Sequence, residues 1–189
     1  MKRFLVSTAA ALVFAGCSNA EEPAMAASGS SGVEESQAGS QPLRGSLESR
    51  FIQAGERGMR AQMLLYARAV PGGEERLVPI SFDDEDRDVF RCVVREMRAA
   101  GHGGYLEEAI ALNLRLAEYI ENTPRLSLMT LETDPEFQAM TEEMIESADV
   151  ELSELSSINN QCGMIALTSE KLDESGARMM MMEAATLDE

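Results

Sequence analysis

Residues 134–165, Asp-Pro-Glu-Phe-Gln-Ala-Met-Thr-Glu-Glu-Met-Ile-Glu-Ser-Ala-Asp-Val-Glu-Leu-Ser-Glu-Leu-Ser-Ser-Ile-Asn-Asn-Gln-Cys-Gly-Met-Ile, carry the clearest structural signal in the chain. A capping acid, a proline at the first helical position and a second acid (Asp134-Pro135-Glu136) mark a helix start. Phe137, Met140, Met144, Ala148, Leu152, Leu155, Ile158, Cys162 and Ile165 then recur every three to four residues, the period of one buried helix face. Read as one element, the stretch predicts a helix of some 32 residues, about 48 Å long at 1.5 Å per residue.

Working outward, the same period returns three times. Ile52, Met59, Met63, Tyr66 and Val70 predict a helix over residues 47–69, ended by Pro71-Gly72-Gly73. Gly55 and Gly58 weaken it by about 1 kcal/mol each unless a close neighbour needs the space. Ser81, with Asp84 three residues on and acids through Asp88, resembles an N-cap; Val89, Phe90, Val93, Val94 and Met97 supply the buried face behind it, and Gly101 stops that helix. After His102-Gly103-Gly104, Leu106, Ala109, Ile110, Asn113, Leu116, Ala117 and Ile120 define a third helix, which the short turn makes antiparallel to the second. Leu77-Val78-Pro79-Ile80 reads as an extended link. Aromatic residues are only 5% of the chain and tryptophan is absent, while unbranched helix formers abound. The expectation is an all-α fold: a small antiparallel bundle of about four helices, one of them long, over residues 46–176, with a Met-rich acidic tail at 177–189.

The N-terminal part reads differently. Lys2 and Arg3 precede a 12-residue apolar run from Phe4 to Ala15, too short to span a hydrocarbon core of about 30 Å and suited to a signal h-region. The run ends in Phe14-Ala15-Gly16-Cys17, which resembles the lipobox of bacterial lipoproteins, departing from it at Phe14, where that family usually has Leu, Val or Ile. The resemblance covers about 17 residues and concerns address, not activity. It implies that residues 1–16 are a signal peptide, that Cys17 becomes a lipid-bearing N-terminus, and that Ser18 directs the protein to the periplasmic face of the outer membrane. Cleavage after Ser18-Asn19-Ala20 would give a soluble periplasmic protein instead, and a chance apolar start a cytoplasmic one. Residues 18–45, rich in Ser, Gly and Ala without an apolar period, read as a flexible tether spanning about 30 Å root-mean-square.

Without the first 16 residues the chain has 14 basic and 33 acidic residues, a net charge of −19. That balance argues against nucleic acid as a partner. Twelve of the 14 basic residues lie between Arg44 and Arg125; from Leu126 onward 15 acids face only Lys171 and Arg178. Either the arginine-rich helices pack against the acidic segment and neutralise it, or an acidic face docks another envelope protein with a basic surface.

Few side chains suggest chemistry. Cys92 and Cys162 border core faces, and in an oxidising compartment such a pair closes as a disulfide; free buried thiols and a redox pair are the alternatives, the latter lacking a Cys-x-x-Cys to lower a thiol pKa. Asp84, Asp86 and Asp88 open like a calcium loop, but Val89 and Arg95 stand where its glycine and glutamate belong. Thirteen methionines, four of them consecutive at 179–182, raise the possibility of thioether ligation of Cu(I), with Met179 and Met182 as candidate ligands; core filling is the ordinary use. His102, the single histidine, is expected to face solvent from its glycine turn. Glu107/Glu108 and Glu142/Glu143 are adjacent on helices and do not share a site. With no nucleophile elbow, zinc motif or phosphate loop, no cofactor and no catalytic residue is assigned, and the expected function is that of a non-enzymatic binding or adaptor module in the cell envelope, with a copper-binding protein and an enzyme of unidentified site as the alternatives.

Overall fold

The structure, a computed structural model, describes residues 43–147 and 150–187. The described residues form eight α-helices and one 3₁₀ turn, with no strand: α1 Leu47–Ala67, α2 Gly73–Arg76, α3 Asp84–Ala99, α4 Tyr105–Asn122, the 3₁₀ turn Leu131–Thr133, α5 Pro135–Ser147, α6 Leu152–Gln161, α7 Met164–Glu174 and α8 Ala177–Leu187. The all-α expectation holds. None of these helices is long and apolar enough to cross a membrane. The expected signal peptide, Cys17 and the tether up to residue 42 lie outside the described residues.

α1 is the axis around which the rest is arranged. Ser46 Oγ caps it by accepting from the Ser49 N–H at 3.1 Å, which satisfies one of the free donors at a helix start. On one side α3 runs antiparallel to it: Glu48 faces Arg91 and Glu56 faces Arg87. On the other, α4 packs along its whole length in the same direction, since Arg50 meets Glu107, Arg57 meets Glu121, and Arg68 donates to the Ile120 carbonyl. In an up–down–up succession the first and third helices are parallel, so the α3–α4 turn reverses the chain as expected while α4 takes α1 as its main partner. A purely antiparallel arrangement is therefore not what forms.

The expected long helix is divided into three. α5 ends at Ser147; Glu151 is extended (φ −63°, ψ 130°) ahead of α6, and Gly163 (φ +83°) separates α6 from α7. The first two of these parts serve different cores. Phe137 and Met140 of α5 join Ala61, Leu65, Leu116 and Ile120 in one apolar cluster. Leu155 and Ile158 of α6 join Met59, Phe90, Val94 and Met97 in another. A straight helix could not turn its stripe toward both. Periodicity continued across the breaks, which is why the sequence reads as one element.

Two further boundaries differ from expectation. Asp83, not Ser81, caps α3, in a reciprocal box: Asp83 Oδ1 accepts from the Asp86 N–H at 2.9 Å and Asp86 Oδ2 from the Asp83 N–H at 3.1 Å. Residues expected to trail as a tail form α8, whose Met180 and Ala184 pack on Ala67 and Val70. The link at Leu77–Ile80 is non-helical, and the Val78 N–H donates to the Ser175 carbonyl at 3.1 Å, tying it to the α7–α8 junction.

Candidate functional site

Cys92 near the middle of α3 and Cys162 at the end of α6 have Cα atoms 5.6 Å apart and sulfurs at 2.08 Å, disulfide distance. The pair joins two helices 70 residues apart in sequence. It flanks a cleft between α1, α3, α4 and α6, occupying about 350 Å³ when its open mouth is included. Phe51, Met97 and Leu155 give the cleft apolar walls, and Tyr105, Asn113 and Asn159 also line it. No lining residue is charged. Asn113 is 4% exposed and its Oδ1 is buried without a hydrogen-bond partner; Asn159 is 6% exposed. Burial pushes the Tyr105 hydroxyl above its ordinary range, helped by the nearby Glu108 charge.

Sequence reasoning placed Asn113 on the buried face of its helix without singling it out. The signal was there: an amide on an otherwise apolar stripe needs a partner. That α6 would bring a second amide, Asn159, to the same space was not visible, because it depends on the break before α6.

The other candidates fall elsewhere. Asp86 is absorbed by structure: Lys171, 4% exposed, has its Nζ 2.8 Å from Asp86 Oδ2 and 2.9 Å from Glu174 Oε2, and lies 5.5 Å from the Phe82 ring centroid. Burial lowers the Lys171 pKa more than any other single influence, yet the hydrogen bonds its ammonium donates to Asp86 and Glu174, with their charges, together raise it above the usual lysine value. With Asp83 and Asp86 used in the cap, the calcium-loop resemblance has no structural counterpart. Among the described residues no three His, Cys, Asp or Glu side chains gather as a metal site would require.

His102 is half-buried rather than solvent-facing. Its Nε2 lies 3.0 Å from Glu154 Oε2, off the line of a hydrogen bond. Glu154 is 52 residues away on α6, so the turn alone could not show it. Glu107 pairs with Arg50 and Glu143 with Arg115, so one carboxylate of each adjacent pair is engaged by an arginine.

Met179 and Met182 share the outer face of α8 and are 68% and 66% exposed, while Met180 between them is buried. The charge asymmetry also resolves into pairs. Arginines of residues 44–125 mostly bind acids of the same segment, as in Arg57–Glu121, Arg68–Glu74 and Arg91–Asp88. Only Arg115–Glu143 and Arg76–Glu183 carry an arginine across to the acidic part among the described residues. Both later cations are already engaged, Lys171 as above and Arg178 by Asp173. Glu132, Glu136 and Glu142 are exposed and form no ion pair with any described residue. No family model, curated protein or solved structure matches the chain.

Proposed function

We propose that this chain is a lipid-anchored protein of the bacterial envelope, acylated at Cys17, and that its helical domain is a non-enzymatic binding module held off the periplasmic face of the outer membrane by residues 18–45. The domain docks a partner with a basic surface through its acidic part. The observation that carries this reading is the pairing pattern: the arginine-rich helices spend their charge on one another's acids and leave Glu132, Glu136 and Glu142 in solvent. Exposed like charges repel one another and weaken the fold slightly, so their use lies in association, where complementary charge speeds encounter and selects partners. Crosslinking in intact cells followed by mass spectrometry tests it. A reproducible partner, lost when Glu132, Glu136 and Glu142 are changed together to lysine, is the expected outcome; a partner set indifferent to that change, or none, discards the docking role. Mass spectrometry of the mature N-terminus tests the anchor separately, with acylated Cys17 expected and an N-terminus at Glu21 excluding it.

The exposed thioethers favour a second reading, Cu(I) binding on α8. Two large apolar side chains two-thirds exposed on one helix face are not filling the core, and thioether sulfur suits a soft ion. Competition with a Cu(I) indicator is expected in the native protein and lost in the double variant Met179→Leu/Met182→Leu; no competition at micromolar copper ends this reading.

A further inference from the structure

We infer that the outer face of α8 is an oxidant-trapping site, where the Met179 and Met182 thioethers take oxygen from an uncharged hypohalous acid and spare the methionines of the core. The inference rests on neither reading above, since it needs no partner protein and no metal. Three observations converge on it. Met179 and Met182, 68% and 66% exposed, are the most exposed large apolar side chains among the described residues. The same helix is anchored by other residues: Met180 and Ala184, each 2% exposed, pack on Ala67 and Val70. The outer pair therefore adds nothing to that packing, and a polar group placed there meets solvent. Lastly, all three apolar clusters depend on methionine. Met59, Met63, Met97 and Met164 lie in the first, Met140 in the second and Met180 in the third, none more than 6% exposed.

Oxidation has opposite consequences at the two kinds of position. A sulfoxide is polar and chiral, so one formed inside a cluster buries an oxygen without a partner and disrupts the packing. On the outer face of α8 the same oxygen is hydrated. In the reaction the sulfur lone pair attacks the chlorine of hypochlorous acid and releases hydroxide. Water then displaces chloride from the chlorosulfonium, and loss of its two protons, one of them neutralising the hydroxide, leaves the sulfoxide. The net change turns one thioether and one hypochlorous acid into sulfoxide, chloride and a proton, sulfur losing the two electrons that chlorine gains. Charge selects the oxidant: a chain of formal net charge −17 repels anionic oxidants but not a neutral acid. Residues three apart are neighbours on one side of a helix, so the two sulfurs form a single face. Leucine would supply the same helix propensity there without the chemistry.

The test exposes the disulfide-closed mature chain to graded hypochlorous acid and locates sulfoxides by fragment-resolved mass spectrometry, with the denaturant midpoint measured at each dose. Met179 and Met182 should be oxidised about tenfold more than Met180 between them, and the midpoint should hold while both convert. Met129, 41% exposed, is expected next in order. In Met179→Leu/Met182→Leu, which changes exposed residues and leaves the clusters intact, the midpoint should begin to fall at a dose lower by about two equivalents per chain. Every other reactive group is common to the two chains, so that difference reads the trap alone. Oxidation of Met180 as fast as its neighbours overturns the inference, as does a midpoint that falls while Met179 and Met182 convert. So does an equal tolerance of oxidant in the two chains.

Discussion

A Cβ added at Gly55 would stand 2.4 Å from Cε1 of Phe90, whose ring also meets Phe51 and Phe82 edge-on or tilted. Gly55→Ala gains about 1 kcal/mol of helix propensity, but the ring has no free space to retreat into. Overpacking a core costs about 1–3 kcal/mol, so the variant is expected to unfold at lower denaturant than the native chain; a stabilised Gly55→Ala would mean that α1 and α3 are not this close. The tyrosines offer a second residue-scale reading, and with no tryptophan in the chain their ionisation is easy to follow by absorbance. Burial raises Tyr66 and Tyr105, and burial together with the hydrogen bond to Asp134 pushes Tyr119 up to about 12. Folded protein should therefore show all three ionising above the ordinary value of about 10, returning to it in denaturant. A tyrosine that titrates normally in the folded chain would contradict the packing around it.

At the scale of elements, the Cys92–Cys162 pair holds α3 to α6 across a break that backbone hydrogen bonding does not span. A bridge closing about 70 residues is worth roughly 4 kcal/mol in the chain-entropy model. The double variant Cys92→Ser/Cys162→Ser is expected to lose about 2–5 kcal/mol, and denatured, unreduced mature protein to show neither of these two thiols free; finding both reactive removes the bridge. How much of this was legible follows from what each signal depends on. Asp134 capping α5 through the Phe137 N–H at 2.9 Å is a local device, written in three consecutive residues, and so are the buried faces of α1, α3 and α4. The division at Gly163 is local, a glycine at φ +83° between two helices that share one cluster, but the one at Glu151 is not. It exists because α5 and α6 bury their stripes in different clusters, a fact of tertiary packing that an unbroken period conceals. The same reason hid the cleft: Asn113 was visible on its stripe, but its neighbour Asn159 arrives only through the division. α8 was concealed by composition, since Met179–Met182 reads as a uniform run until the fold turns Met180 inward and Met179 and Met182 outward.

For the whole molecule, the ion pairs and the net charge make opposite demands on pH and salt. Glu174 is held below the usual carboxylate range first by its hydrogen bond from Lys171, and Glu143 by that from Arg115. Burial alone would push Asp134 up, but the Phe137 N–H and the Tyr119 hydroxyl hold it down. Each of these lowered groups contributes stability that is complete above its unfolded pKa near 4 and is lost as pH falls through the folded value. Lys171 and Tyr119 are raised, so their contributions are complete below the unfolded values of about 10 and are lost as pH climbs through the folded ones, about 12 for Tyr119. Stability measured by denaturant midpoint should therefore be broad between about pH 5 and 10 and fall on both sides. Within that plateau the acid excess still repels itself, while the exposed ion pairs that salt would weaken are individually worth about 0–1 kcal/mol. Repulsion across the domain is the larger effect when unpaired acids outnumber unpaired bases, and it is screened over about 10 Å at 0.1 M salt. Raising sodium chloride from about 0.01 to 0.5 M at pH 7 is thus expected to raise the midpoint in the native chain. It should do so less in the Glu132→Lys/Glu136→Lys/Glu142→Lys variant, where three of the solvent-facing acids no longer add to the field; an equal or larger salt response in that variant would show that the acidic surface is neutralised within the fold after all.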